Sequence, residues 1–199
     1  MTYTPTKTLS FEDFVAQYGD DPRYELIDGE LRALEPTGPH ESVAGKLAGH
    51  IYAEILRQAL AWTVPKNCLI QPPATAATAL RPDVIVLDEA ALKAEPLWQR
   101  EPIITSGIPI RLVVEVVSTN WQDDYARKLE EYALLQIAEY WIVDFTGLGG
   151  TAFIGRPKQP TFTICQLQGD EYHRTLYRLG ESIRSHILPE LILQLENVI

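Results

Sequence analysis

Two short apolar runs, RPDVIVL at Arg81 to Leu87 and LVVEVVS at Leu112 to Ser118, constrain this chain more than any other feature. Both are rich in Val and Ile and nearly continuous in hydrophobicity, which predicts strands over Pro82–Leu87 and Ile110–Val117 that are buried on both faces at the centre of a sheet. Each run carries one carboxylate, Asp83 in the first and Glu115 in the second. Burying an unpartnered carboxylate costs roughly several kcal/mol, so each must be paired, protonated or bound to a cation. A divalent metal shared between neighbouring strand ends satisfies both, because two hard oxygen ligands with water in the other positions suit Mg²⁺. The competing reading places each acid at a strand end, reaching solvent or an arginine such as Arg81 or Arg111.

The surrounding sequence supplies the rest of an α/β fold. Ser10 with Asp13 three residues on predicts a capped helix up to Tyr18. YELIDGELRAL sets Asp28-Gly29 between two part-alternating runs, a hairpin signal. Val43, Leu47, Ile51 and Ile55 recur at helical spacing and predict a long helix over Glu41–Leu60. A strand is expected over Trp62–Ile70, then loop or edge through QPPATAATAL. Ser118 or Asn120 can cap a helix from about Trp121 to Gln136, with Asp123 and Asp124 favouring its dipole. EYWIVDF is the next strand. Strand, helix and strand in that order suggest a right-handed crossover with parallel pairing. The short runs TAFIG, TFTICQL and YHRTLYRL, with ILPELILQLENV, suggest an antiparallel C-terminal extension of the sheet.

At 199 residues the chain suits one domain, with residues 1–10 expected as a flexible tail. No stretch approaches the roughly 18 apolar residues of a membrane span, and the N-terminus lacks a signal-peptide apolar core, so a cytoplasmic location is expected. Cys68 and Cys165 stand alone, outside any disulfide or zinc spacing, and are expected reduced and buried. The net charge of −10 opposes broad attraction to nucleic acid.

Lys128 is the third residue of note. At about 100° per residue it shares an arc of the helix with Trp121, Tyr125, Tyr132 and Leu135, while Arg127 and Glu130 point elsewhere. A lysine on a packing face either snorkels to the rim or reaches a negative partner. Because the helix follows the Glu115 strand directly, that partner can be the carboxylate pair or a substrate phosphate. Glu25 and Glu30 flank the Asp-Gly turn, where solvent-facing hairpin acids explain them equally well. His40 and Glu41 head the long helix, where capping and dipole compensation explain Glu41. His50, His173 and His186 have no ligand spacing and read as structural or surface residues.

Asp83 after Pro82, followed by Glu115 on the next strand, resembles the PD-(D/E)XK nuclease superfamily. Within it the chain resembles a family of restriction endonuclease-like proteins long held as a domain of unknown function. The stretches YELIDGEL, PTGPHESVAGKL, RPDVIVLDE, LVVEVVS, KLEEY, EYWIVD and ILPELILQL carry the likeness in order, over roughly Phe11 to Leu195. The resemblance implies a restriction endonuclease-like mixed central sheet flanked by helices. It also implies Mg²⁺ or Mn²⁺ held by Asp83, Glu115 and the carbonyl of Val116, and hydrolysis of nucleic acid, DNA first, to a 5′-phosphate and a 3′-hydroxyl. Where the signature has lysine, two after Glu115, this chain has Val117. The superfamily tolerates migration of that lysine to the neighbouring helix, and Lys128 is the candidate. Cutting duplex DNA calls for two active sites, so a homodimer is expected. Val117 and the acidic charge support the alternative, a non-catalytic nucleic-acid-binding or partner-binding relic of the fold. Hydrolysis of another phosphate ester at the same site is a third reading.

Overall fold

The computed structural model describes residues 8–73 and 77–199. Helix α1 (Phe11–Tyr18) leads into a hairpin of β1 (Tyr24–Ile27) and β2 (Glu30–Ala33), then the long helix α2 (Gly38–Arg57). Short strands β3 (Trp62–Thr63) and β4 (Leu69–Ile70) precede β5 (Val84–Asp88), β6 (Ile103–Ile104) and β7 (Ile110–Val116). A π-helical segment (Asp123–Arg127) runs without a break into α3 (Lys128–Leu134). Strand β8 (Glu139–Asp144), the single turn α4 (Thr151–Ile154), β9 (Thr161–Gln168) and β10 (Glu171–Tyr177) complete the order.

Six strands form one mixed sheet in the order β10-β9-β8-β7-β5-β3. β7 and β8 pair in parallel, as the strand–helix–strand order predicts, and the other neighbours are antiparallel. The expected antiparallel extension is β9 and β10. Because side chains alternate across a strand, β5 and β7 each present two apolar sets. Val84, Val86, Leu112, Val114 and Val116 pack against Val43, Leu47, Ile51 and Ile55 of α2. Ile85, Leu87, Val113 and Val117 face the other way, onto Tyr125, Tyr132 and Leu135. Parity therefore puts Asp83 and Glu115 on the second face, and the pairing of Val84 with Val114 sets them side by side.

Several local expectations hold and several move. Ser10 accepts a hydrogen bond from the Asp13 N–H at 3.0 Å and caps α1. Asp28 and Gly29 both take positive φ, 52° and 79°, the left-handed pair that a two-residue hairpin turn of type I′ requires. Helix α2 starts at Gly38 and ends at Arg57, three residues ahead of the expected span at each end, because Thr37 caps it and Pro39 fits its first turn. The strand expected over Trp62–Ile70 is two separate pairs of residues, β3 and β4, with Pro65 between them. TAFIG is the helical turn α4, not a strand. The ILPELILQLENV tail adds only an Ile183–Leu193 bridge and a 3₁₀ turn at Leu195–Asn197.

Both cysteines are free and buried. His50, His173 and His186 are exposed. Of residues 1–10, residues 1–7 fall outside the described residues, and the Leu9 N–H donates to the Gly29 carbonyl at 2.9 Å. The loop expected through QPPATAATAL also lies partly outside them, at 74–76. Among the described residues no helix is long and apolar enough to cross a membrane.

Candidate active site

A cleft of about 620 Å³ opens where the ends of β5 and β7 meet the hairpin, the start of α2 and the π-helical segment. Asp83 lies one residue before β5, and its Oδ2 accepts the Val116 N–H at 2.7 Å. Its side chain is 22 % exposed, whereas Glu115 is buried. Glu115 Oε1 accepts the Tyr132 hydroxyl at 2.7 Å, and Oε2 stands 3.1 Å from Lys128 Nζ. Lys128 is itself buried, and its amine also approaches Glu25 Oε2 at 3.4 Å and Asp124 Oδ1 at 3.5 Å. The three predicted residues thus line one cleft, although the ion pairs of Lys128 run to Glu115, Glu25 and Asp124 and not to Asp83.

Helical spacing brings Asp124 here, one turn before Lys128, and the turn that carries it is π-helical. A π-helical turn is wider than an α turn and shifts the phase of the helix that follows. Asp124, Tyr125 and Lys128 all face inward, and Asp124, expected to favour the helix dipole, is buried in the cluster. Glu25 likewise departs from a surface hairpin acid. It is buried on β1 and accepts the Arg81 main-chain N–H at 3.4 Å, whereas Glu30 across the turn is exposed. His40 is buried too, with Nε2 2.8 Å from the Val116 carbonyl and 3.4 Å from Asp83 Oδ2. No local spacing marks Glu25 or His40, which tertiary packing alone brings in, whereas Asp124 and Tyr132 stand four residues either side of Lys128 on one helix face. Ser118 lines the cleft but caps no helix, since the helical segment begins beyond it.

Charge in the cleft is lopsided. Eight carboxylates and four Lys or Arg residues line it. Lys66 and Arg81 reach the cleft, while Lys46 bonds the Ile199 carbonyl and Arg57 pairs with Glu54 and Glu190. Burial raises the Glu115 carboxyl well above the usual carboxylate range. Lys128 opposes this rise, and Asp83, Asp124 and Glu25 reinforce it. Asp124 is pushed up to about 7, again by burial first. Burial works against the charge of Lys128, yet Glu115, Glu25 and Asp124 outweigh it and raise its pKa well above the usual value. For His40, burial likewise opposes the charged form, and Asp83, Val116 and Glu41 outweigh it so that the pKa rises. Tyr132 rises as well through burial and the neighbouring Glu115, so it remains a neutral donor.

This cluster is short of positive charge, and its outer oxygens are hard. Two carboxylates and one main-chain carbonyl fit the donor chemistry of a small divalent cation that keeps several waters. Among the described residues no three His, Cys, Asp or Glu side chains converge as a self-sufficient metal cage.

The fold agrees with what the chain is similar to. No curated protein matches the sequence. Among solved structures, a putative nuclease belonging to DUF820 from Anabaena variabilis ATCC 29413 superposes with a TM-score of 0.67 at 14 % identity, covering 96 % of this chain and 97 % of that one. At that identity the likeness shows a shared fold. Residues 11–196 match the Uma2 family, described as "Putative restriction endonuclease". The chain belongs to the Uma2 family, with a nuclease-like fold spanning nearly its whole length.

Proposed function

We propose that the protein is a divalent-metal-dependent endonuclease that hydrolyses phosphodiester bonds of DNA, with Asp83, Glu115 and Lys128 as its core. Working as one domain, as a homodimer and in the cytoplasm belongs to the same reading. The observation that carries it is the Lys128 ammonium, buried 3.1 Å from Glu115. A charge missing at Val117 is thereby supplied from the next helix, against the carboxylate that the metal would use. Asp83, Glu115 and the Val116 carbonyl would hold Mg²⁺ or Mn²⁺. When bound, such an ion neutralises charge growing on the scissile phosphate and lowers the pKa of a bound water.

The remaining work falls to the chain's own groups. Three carboxylates hold the proton on Lys128, so its role is a fixed positive charge that stabilises the phosphorane oxygens and not a base. Tyr132 fixes the Glu115 carboxylate by donating to Oε1. Asp83 is fixed in turn by the Val116 N–H, which ties the carboxylate to the residue whose carbonyl completes the donor set. Asp124, with its pKa near 7, gives the cluster a group that changes protonation near neutral pH.

The second reading is a non-catalytic nucleic-acid-binding or partner-binding descendant, favoured by Val117 and by the excess of carboxylates in the cleft. Calorimetric titration of Mg²⁺ and Mn²⁺ into the wild type and Asp83→Ala, followed by plasmid and single-stranded DNA cleavage, separates the two. Metal binding that Asp83→Ala abolishes, with nicking lost in Lys128→Met, supports the enzyme. A wild type that binds neither metal at millimolar concentration refutes it.

A further inference from the structure

His40 reaches the candidate metal donors from an unexpected side. It sits in the first turn of α2, yet its ring lies against the end of β7, 6 % exposed. Nε2 has two neighbours, the Val116 carbonyl at 2.8 Å and Asp83 Oδ2 at 3.4 Å. Both accept hydrogen bonds, so the proton of the neutral ring belongs on Nε2. Nδ1 is buried without a hydrogen-bond partner, 3.9 Å from Glu41 Oε1. No hydrogen bond tethers the ring through Nδ1, and both polar contacts of Nε2 are with the donor set.

We propose that His40 is a positioning residue that sets the metal-binding donors by holding the Val116 carbonyl and the Asp83 carboxylate together through Nε2–H. The inference rests on the metal-dependent reading above and deepens it. Asp83 Oδ2 is engaged by the Val116 N–H at 2.7 Å and faces Nε2 as well. Oδ1 is therefore the oxygen left for a cation. One lone pair of the Val116 carbonyl is occupied by His40 and the second remains. The start of α2 thus serves the site through the sheet end and not through direct contact with substrate. Outer-shell donors of this kind fix ligand direction, and their loss typically weakens metal binding about 10- to 100-fold.

The test is Mn²⁺ affinity by calorimetry, with melting curves, for the wild type, Asp83→Ala, His40→Ala, His40→Gln and His40→Asn. A glutamine amide can place its nitrogen near the position of Nε2, and the shorter asparagine cannot. The expected result is Mn²⁺ affinity about 10- to 100-fold weaker in His40→Ala and mostly recovered in His40→Gln, with a melting midpoint close to wild type. Should His40→Ala not fold, the Gln and Asn variants carry the comparison, Gln binding and Asn failing. Wild-type affinity in His40→Ala, or equal weakness in Gln and Asn, overturns the inference while Asp83-dependent binding leaves the metal reading standing. A wild type that takes up no Mn²⁺, or Asp83→Ala that binds as the wild type does, refutes the metal reading and the inference with it.

Discussion

Replacing Lys128 with methionine tests the electrostatics of the cleft more directly than any activity measurement. Methionine keeps much of the side-chain volume and removes the charge, leaving Glu25, Glu115 and Asp124 buried around a neutral thioether. Burial already raises Glu115 and takes Asp124 to about 7 with the ammonium in place. Without it the native cluster must retain at least one further proton across the neutral range. An acid whose folded pKa is raised costs nothing below its unfolded value near 4. The cost then grows with rising pH until the folded pKa is passed. One extra retained proton steepens the loss by about 1.4 kcal/mol per pH unit, or about 4 kcal/mol between pH 5 and pH 8. This lies within the roughly 3–5 kcal/mol expected for breaking a buried ion pair. At about 2–4 °C per kcal/mol for a chain of this size, the melting midpoint should fall about 8–16 °C further below wild type at pH 8 than at pH 5. Thermal denaturation followed by circular dichroism at the two pH values reads this difference. A deficit that is the same at pH 5 and pH 8 would show that the lysine charge is not coupled to the carboxylates, and the account of the site would fail.

Other perturbations probe separate parts of the structure. In the wild type the raised pKa of Asp124 implies a midpoint that falls as pH rises from 4 to 7, and Asp124→Asn should flatten that segment; an unchanged slope would place the proton elsewhere. Tyr132→Phe removes a buried donor to Glu115 and should cost about 1–3 kcal/mol by denaturant titration, with weaker Mn²⁺ binding; wild-type values in both would contradict its positioning role. Gly107→Ala should abolish or severely lower stability, because a Cβ there would clash with the backbone carbonyl of Leu135, and a near-wild-type midpoint would refute the packing of that connection on the end of α3.

What the sequence made legible follows from periodicity. Val-rich runs with single acids fixed both central strands, and the two-residue alternation put Asp83 and Glu115 on one face once Val84 was opposite Val114. The lysine was legible because α3 follows the Glu115 strand and its apolar arc turns toward it. The other members of the cluster were not read as such. Asp124 stands one helical turn before Lys128 and shares its face, so the same 100° step marks both, and reading Asp124 only as a dipole partner passed over it. Glu25 is buried only because β1 is bridged to the central region, Leu26 to Ala79, with the Arg81 N–H on the Glu25 carboxylate. His40 contacts β7 across 76 positions of chain, a separation that no local pattern encodes.

The acidic balance that speaks against nucleic acid in the sequence takes a different meaning in the cleft. Spread over the surface, a net charge of −10 repels phosphate. Concentrated beside one buried ammonium, carboxylates with raised pKa values form a site whose own protons compensate for missing cations. A divalent ion and a proton are alternatives for the same deficit, so metal uptake should expel more protons at pH 6, below the Asp124 pKa of about 7, than at pH 8. Calorimetric titration of Mn²⁺ in two buffers of different ionisation enthalpy measures that exchange. Heats that depend on the buffer more at pH 6 than at pH 8 are the expected result. Equal, buffer-independent heats at both pH values would mean that the ion binds away from the Lys128 cluster.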